Sequence, residues 1–307
     1  MLPRDSSPRR SILCLHAPDG FRHAVRIDGR APNPMRTQRG PNGVVMDLDL
    51  SGKRVLVTGS YRGTGAGLAR VLAAEGATVW VHGFEAEPTD ATAMAIRESG
   101  HDAHVVVGDI RTDEGARDVA ATVGEIDILV NNYGVAEGGS WESPTEDWID
   151  IYQKNVLSAV RLVHALSPGM KARGWGRILF VSTVGYARPN SRMPHYYASK
   201  TALVNMTVSL AKELANTGIT VNCVSPGIIA TAEIKEMFTR RATKSGEPTD
   251  WPSIEKHVTS GSMPNPAGII GEPEDIGHLV AFLVSEKARY INAANIRIDG
   301  GTADSIQ

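Results

Sequence analysis

Residues 53–65 read KRVLVTGSYRGTG, an apolar run followed by a turn that holds three glycines. The first six residues have the composition of a buried β-strand. Gly59, Gly63 and Gly65 then allow a tight turn and a close approach of the backbone to a phosphate. A helix is predicted over Gly65–Glu75, which turns its N-terminal N–H groups and its dipole towards that anion. A glycine-rich turn by itself is often only a turn, but the strand before it and the helix after it favour a dinucleotide site.

Strand and helix patterns alternate along the rest of the chain. The alternation predicts a single α/β domain over 46–307, with one doubly wound parallel sheet of the Rossmann type rather than two domains. Further strands are predicted at Thr78–His82, His104–Val107, Ile126–Val130, Arg177–Val181, Thr220–Val224 and Asn295–Gly301.

Residues 1–45 differ in composition from this domain, with eight Arg, six Pro, no Lys and no Glu. Such a segment buries too little apolar surface to offset the entropy of ordering it, so we expect it to be disordered. Alternatively, the start codon has been assigned too far upstream, since Met46 directly precedes the first strand. The Arg-rich, acid-poor composition also resembles an organellar transit peptide, although the prolines disfavour an amphipathic helix.

The overall composition excludes several classes of partner. A net charge of −2 gives no electrostatic reason to expect nucleic acid or an anionic membrane as a partner. No apolar run approaches the roughly 20 residues of a membrane span. The two cysteines, Cys14 and Cys223, suggest neither a disulfide framework nor a metal site, and a reducing, cytoplasmic location is expected.

A second motif lies in residues 182–200, which read STVGYARPNSRMPHYYASK. Tyr196 and Lys200 stand four residues apart and therefore share one face of a predicted helix. A nearby ammonium favours the phenolate, so we expect Lys200 to lower the pKa of Tyr196 from about 10. A phenol tuned in this way is a proton donor or acceptor for a carbinol oxygen. A Tyr and a Lys also share a helix face by chance, so the pair proves little alone.

Together, these motifs resemble the short-chain dehydrogenase/reductase family, in its single-domain, 3-oxoacyl-reductase-like branch. The resemblance covers residues 50–301 and implies an NAD(P)-dependent alcohol dehydrogenase or ketoreductase that needs no metal. It implies that Tyr196 is the general acid/base, that Lys200 holds the nicotinamide ribose and that Asn155 anchors a proton relay. The family's catalytic Ser falls on Thr183, which keeps the hydroxyl, whereas Ser182 is expected to point to the other side of the strand.

The resemblance also assigns the cofactor contacts and suggests which cofactor is used. Gly83 ends the second strand where a carboxylate would select NAD, and Arg62 resembles the basic residue that NADP-using members place near the 2′-phosphate. NADP is therefore favoured and NAD remains possible, with Glu85 expected to neutralise Arg62 in part. The implied contacts are Gly59, Tyr61, Arg62, Gly63, Thr64, Gly65, Asp109, Ile110, Asn132, Gly134, Tyr196, Lys200, Pro226, Gly227, Ile229 and Thr231.

Two regions depart from the family pattern or vary within it. Tyr133 replaces the Ala of the family's Asn-Asn-Ala-Gly motif, and its ring either faces solvent or enters the cofactor channel. Residues 231–270 lie where the family keeps its substrate lid, and their length favours a functional loop. Lid residues, with Trp141, Tyr186 and Ile229, suggest a partly hydrophobic alcohol or ketone, while the charges in the lid leave an acidic or sugar-like substrate open.

The resemblance further implies a homotetramer or homodimer. Two other functions remain open at this stage. One is an epimerase or dehydratase, which the short C-terminal region disfavours. The other is a cofactor-binding regulator without catalytic activity, which the presence of Tyr196, Lys200 and Asn155 disfavours.

Overall fold

The computed structural model describes residues 47–304, which form one seven-stranded, all-parallel sheet with helices on both faces. The predicted doubly wound α/β fold is confirmed. The segment 1–45, expected to be disordered, lies outside the described residues. The strands are β1 (Arg54–Val57), β2 (Thr78–Gly83), β3 (Ala103–Val107), β4 (Ile128–Asn131), β5 (Gly176–Val181), β6 (Ile219–Pro226) and β7 (Asn295–Ile298).

The helices follow the predicted alternation with the strands. They are α1 (Gly63–Ala74), α2 (Ala86–Glu98), α3 (Asp113–Val123), α4 (Thr145–Tyr152), α5 (Ser158–Arg173), α6 (Pro194–Glu213), α7 (Ala232–Ser245), α8 (Trp251–His257) and α9 (Pro273–Val284). Single π-helical turns follow α4 (Gln153–Leu157) and α8 (Val258–Ser262). Among the described residues, no helix combines the length and the apolar character needed to cross a membrane.

The strands are apolar on both sides because helices cover both faces of the sheet. On one face, α1, α2 and α9 pack on a core that includes Val55, Leu68 and Val280. On the other, α3, α5 and α6 pack on a core that includes Phe180 and Leu203. Cys223 is buried in β6 within this second core, as the sequence predicts.

The strand order β3-β2-β1-β4-β5-β6-β7 places β1 between β2 and β4. The order therefore reverses at β1, and in open parallel sheets a crevice forms outside the carboxyl ends of the strands at that point. The glycine-rich turn follows β1 and the Asn132–Gly134 segment follows β4, so both motifs meet at this crevice.

The predicted lid is largely helical rather than an irregular loop. It contains α7, α8 and the π-helical turn Val258–Ser262. These elements bury a small apolar cluster of their own, separate from the two cores of the sheet, formed by Ala230, Phe238, Ala242, Ile254, Val258 and Ile270.

Candidate active site

A cavity of about 640 Å³ opens at the carboxyl ends of β1, β4, β5 and β6. It brings together most of the residues predicted to bind cofactor or substrate. Asp109, Ile110 and Asn155 are not part of its lining, and neither are Trp141 and Tyr186. The predicted residues that do line it are Gly59, Tyr61, Arg62, Gly63, Thr64, Gly65, Asn132, Gly134, Thr183, Tyr196, Lys200, Pro226, Gly227, Ile229 and Thr231.

The glycine-rich turn needs glycine at three positions, at two for the backbone conformation and at one for close packing. Gly59 and Gly63 have positive φ values of 61° and 56°, which glycine adopts without strain. A Cβ on Gly65 would lie 2.4 Å from the carbonyl oxygen of Gly59. The turn delivers the chain to the N-terminus of α1, which has no side-chain cap and no acidic residue in its first turn. An anion therefore meets N–H groups and the positive end of the helix dipole, without a competing carboxylate on that turn.

Lys200 is buried in the wall of the cavity. Its Nζ donates to the carbonyl oxygen of Val181, 2.9 Å away, at the end of β5. A Cβ on Gly134 would lie 2.6 Å from the same Nζ, so a side chain at this position would displace the ammonium. Because burial disfavours the charged form, the pKa of Lys200 is lowered to about 8.

Asn155 lies in the π-helical turn between α4 and α5, where the helix departs from its regular hydrogen-bond pattern. Its Oδ1 accepts from the N–H of Val135 at 2.7 Å, and its Nδ2 donates to Ser199 Oγ at 3.0 Å. The side chain thereby connects the loop after β4 to α6. A Cβ on Gly134 would also lie 3.0 Å from Oδ1, which places Asn155 next to the ammonium of Lys200.

Tyr196 lies near Thr183, and both residues line the cavity. Burial raises the pKa of Tyr196 to about 12, and the nearby Thr183 hydroxyl offsets this increase only in part. The predicted lowering of this pKa by Lys200 is therefore wrong for the protein alone. Although the two residues are one turn apart, Lys200 directs its Nζ to the Val181 carbonyl, and desolvation of the phenol outweighs the other influences.

Arg62 has a different acidic partner from the one expected. Its NH1 lies 3.2 Å from Glu233 Oε1 on α7, and both side chains are about half exposed. From the sequence, Glu85 is the acid expected to neutralise Arg62 in part. A Cβ on Gly83, which ends β2, would lie 3.1 Å from the Cβ of Tyr61. Arg62 is therefore held towards the lid by its ion pair with α7.

The ring of Tyr133 lies beside Gly59 of the glycine-rich turn and against Phe84. It lines the cavity, packs against Phe84 with the ring centroids 4.8 Å apart and is half-buried. Beyond it, Arg111 lies over the Phe84 ring, 5.1 Å from the centroid, and forms a bidentate ion pair with Asp109. This pair holds the pKa of Asp109 below its usual range. The carboxylate of Asp109 is therefore already paired with Arg111 of its own loop.

The sequence patterns missed several residues of the site. Ser182 lines the cavity and donates through Oγ to the carbonyl oxygen of Lys200 at 2.8 Å, which joins β5 to α6. His195 is buried, and its Nδ1 accepts from the N–H of Tyr196 at 2.8 Å. Glu233, on α7, also lines the cavity, and no motif in the sequence identifies it. Ser182 and His195 are adjacent to residues that the motif identifies, and that adjacency was the available signal.

Comparisons with known proteins agree with this geometry. A family model described as short chain dehydrogenase matches residues 53–242. The chain is 34% identical over 259 residues to D-beta-hydroxybutyrate dehydrogenase of Cupriavidus necator, an alignment that covers 82% of this chain and 98% of the relative. It is 34% identical over 255 residues to a 3-oxoacyl-acyl-carrier-protein reductase of Haemophilus influenzae, with the same coverage of 82% and 98%. The crystal structure of L-sorbose reductase from Gluconobacter frateurii, complexed with NADPH and L-sorbose, matches with a TM-score of 0.80 and 31% identity over 85% of this chain and 100% of that one.

Proposed function

Because the chain belongs to the short-chain dehydrogenase family, in its 3-oxoacyl-reductase-like branch, we propose that the cavity beside Tyr196 is its active site. The protein is an NAD(P)-dependent oxidoreductase that transfers hydride between nicotinamide and an alcohol or ketone. The observation that carries the proposal is the position of Tyr196, one helical turn from Lys200, on the wall of a cavity that Thr183 and the glycine-rich turn also line.

The site fits a nicotinamide dinucleotide in both shape and charge. The uncapped N-terminus of α1 suits the pyrophosphate, and the glycines of the turn admit it closely. Lys200 lies deeper, next to Gly134, where its ammonium is a donor for ribose hydroxyls. When bound, the cofactor supplies the hydride to a ketone or accepts it from an alcohol.

Tyr196 is the proton donor in ketone reduction. Since its pKa is about 12, the phenol is fully protonated near neutral pH and holds a proton for the oxygen that becomes an alkoxide. Thr183 contacts the phenol and lies where its hydroxyl orients a substrate oxygen. Lys200 and Asn155 are positioning residues. Lys200 provides a donor beside Gly134, and Asn155 fixes the loop after β4 against α6.

NADP is the preferred cofactor in this proposal, and NAD remains usable. Gly83 carries no carboxylate to repel a 2′-phosphate, and Arg62 supplies a guanidinium from the neighbouring turn. Arg62 must release Glu233 to reach the phosphate, so we expect a weaker preference than a free Arg would give. Assembly as a homotetramer or homodimer and a cytoplasmic location complete the proposal. They rest on the resemblance and on the low cysteine content.

The test is a screen of ketones and secondary alcohols with NADPH and NADH, followed by replacement of the phenol. Tyr196→Phe removes the proton donor and is expected to lower kcat by at least about 100-fold with little change in cofactor affinity. Tyr197→Phe is the matched control, and its loss is expected to be far smaller. Equal activity of Tyr196→Phe and the wild type would contradict the assignment. Cofactor binding without turnover of any compound would favour the regulator instead.

A further inference from the structure

A second cavity, of about 690 Å³, lies on the far side of Thr183 from the glycine-rich turn. Thr183, Gly227 and Ile228 line both cavities, so the two meet where the substrate oxygen is expected. A volume in this range holds a small organic molecule. The second cavity is therefore the place for the part of the substrate that extends away from the reacting carbon.

Three guanidinium groups line this second cavity. Arg188 and Arg192 come from the loop between β5 and α6, and Arg241 comes from α7 of the lid. None of the described residues that line it is an Asp or a Glu. The cavity therefore carries a concentrated positive charge next to the reacting centre, although the whole chain has a net charge of −2.

The three arginines have no acidic partner within residues 47–304. Arg188 donates to the carbonyl oxygen of Thr302 at 2.8 Å, and the Arg241 guanidinium lies 5.6 Å from the centre of the Phe238 ring. The carbonyl group that Arg188 contacts and the ring that Arg241 contacts are both uncharged, so neither neutralises the guanidinium beside it. Both groups remain available to an anion that enters the cavity.

The rest of the lining is mainly apolar. Met193, Phe238 and Met263 contribute large side chains without charge, while Asn190 donates to the Tyr197 hydroxyl at 2.9 Å. A bound molecule therefore meets carbon-rich walls between Thr183 and the arginines. This combination suits a short carbon chain with an anionic group at its end.

We propose that the substrate is an oxo acid or the corresponding hydroxy acid, with its carboxylate bound by Arg188, Arg192 and Arg241. The inference rests on the proposed function, since it places the reacting oxygen at Thr183 and Tyr196. Guanidinium groups bind carboxylates through paired, charge-assisted hydrogen bonds. In the reduction, the carbonyl carbon gains a hydride, the nicotinamide loses two electrons, and the carbonyl oxygen takes the proton of Tyr196. The carboxylate is unchanged.

The experiment compares aliphatic oxo acids, with the ketone two to five carbons from the carboxylate, with their methyl esters and amides. The expected result is a kcat/KM at least about tenfold higher for one or more acids than for the matched neutral compounds, mostly through KM. Arg192→Gln and Arg241→Gln should each lower kcat/KM for the acids more than for the matched esters, which removes part of this advantage. Arg240→Gln is the matched control because Arg240 precedes Arg241 on α7, pairs with Glu236 and does not line the cavity.

Equal kcat/KM for acids and esters, or arginine variants that keep the full preference for acids, would overturn the inference and leave the proposed function intact. A phosphorylated ketone that is preferred to every carboxylate would overturn the choice of anion. Calorimetric titration of the same acids and esters in the presence of NADP separates binding from turnover. Arginine-dependent binding of an acid without any turnover would support the anion site and contradict the proposed function.

Discussion

At the scale of single residues, Glu233 is the acidic partner of Arg62. The two side chains form an exposed ion pair at 3.2 Å, and a 2′-phosphate must compete with the carboxylate for the same guanidinium. We predict that Glu233→Gln raises kcat/KM for NADPH relative to NADH, by up to about fivefold, because exposed ion pairs contribute little. Steady-state kinetics with both cofactors measures the ratio.

Two further variants make this first prediction specific. Glu236→Gln, one turn further along α7, removes an acid that pairs with Arg240 instead and should leave the ratio unchanged. Arg62→Ala should lower the ratio below that of the wild type. If Arg62→Ala leaves the ratio unchanged, Arg62 does not contact the 2′-phosphate.

Lys200 is expected to make cofactor binding depend on pH. Burial lowers its pKa to about 8, so the side chain is charged below pH 8 and neutral above it. We predict that the affinity for NADPH falls as pH rises through about 8, since a neutral amine is a weaker donor to the ribose. Fluorescence titration of NADPH between about pH 7 and pH 9.5 measures this change. Lys200→Met should bind more weakly and show no step at this pH; an identical step in that variant would assign it to another group.

At the scale of elements, the lid has an apolar cluster of its own and should unfold separately from the sheet. Ile254 is 4% exposed within this cluster. We predict that Ile254→Ala destabilises the lid by about 2–5 kcal/mol, the usual effect of such a truncation, while the global Tm changes little. Limited proteolysis should then cut faster within 232–262.

Ile269→Ala is the control for the lid prediction. It is the same truncation in the same predicted lid, but Ile269 is 54% exposed, so cleavage should not accelerate. Cofactor and substrate together should slow cleavage of the wild-type lid, because closure orders the segment. A Tm that falls strongly in Ile254→Ala would instead show that lid and sheet unfold as one unit.

At the scale of the whole molecule, contacts divide the chain into Met1–Met46 and Asp47–Gln307. The second unit contains both cores of the sheet and every residue of the candidate site. We predict that a chain beginning at Met46 has a Tm within about 2 °C of the full chain and the same kcat/KM. Differential scanning calorimetry and steady-state assays measure the two quantities. A lower Tm or a lost activity would show that the Arg-rich segment packs on the domain or binds a ligand.

The sequence by itself determined the fold and most of the lining of the site. Alternating apolar strands and helices have few topological solutions, and the turn after β1 needs Gly59 and Gly63 for their positive φ and Gly65 for lack of space. The spacing of Tyr196 and Lys200 placed both on one helical face. These features are local in the chain, so they are visible without a structure.

Only the tertiary structure determined the pKa of Tyr196, the ion-pair partner of Arg62 and the second cavity. The pKa of Tyr196 depends mainly on burial of the phenol by neighbouring residues. This burial has a larger effect on the pKa than the ammonium of Lys200, which the sequence motif places nearby. Arg62 meets Glu233 across 171 positions of the chain, and Arg241 of α7 joins Arg188 and Arg192 only where α7 and the loop after β5 line one cavity. Desolvation and charge pairing depend on distance in space, and sequence separation carries no information about that distance.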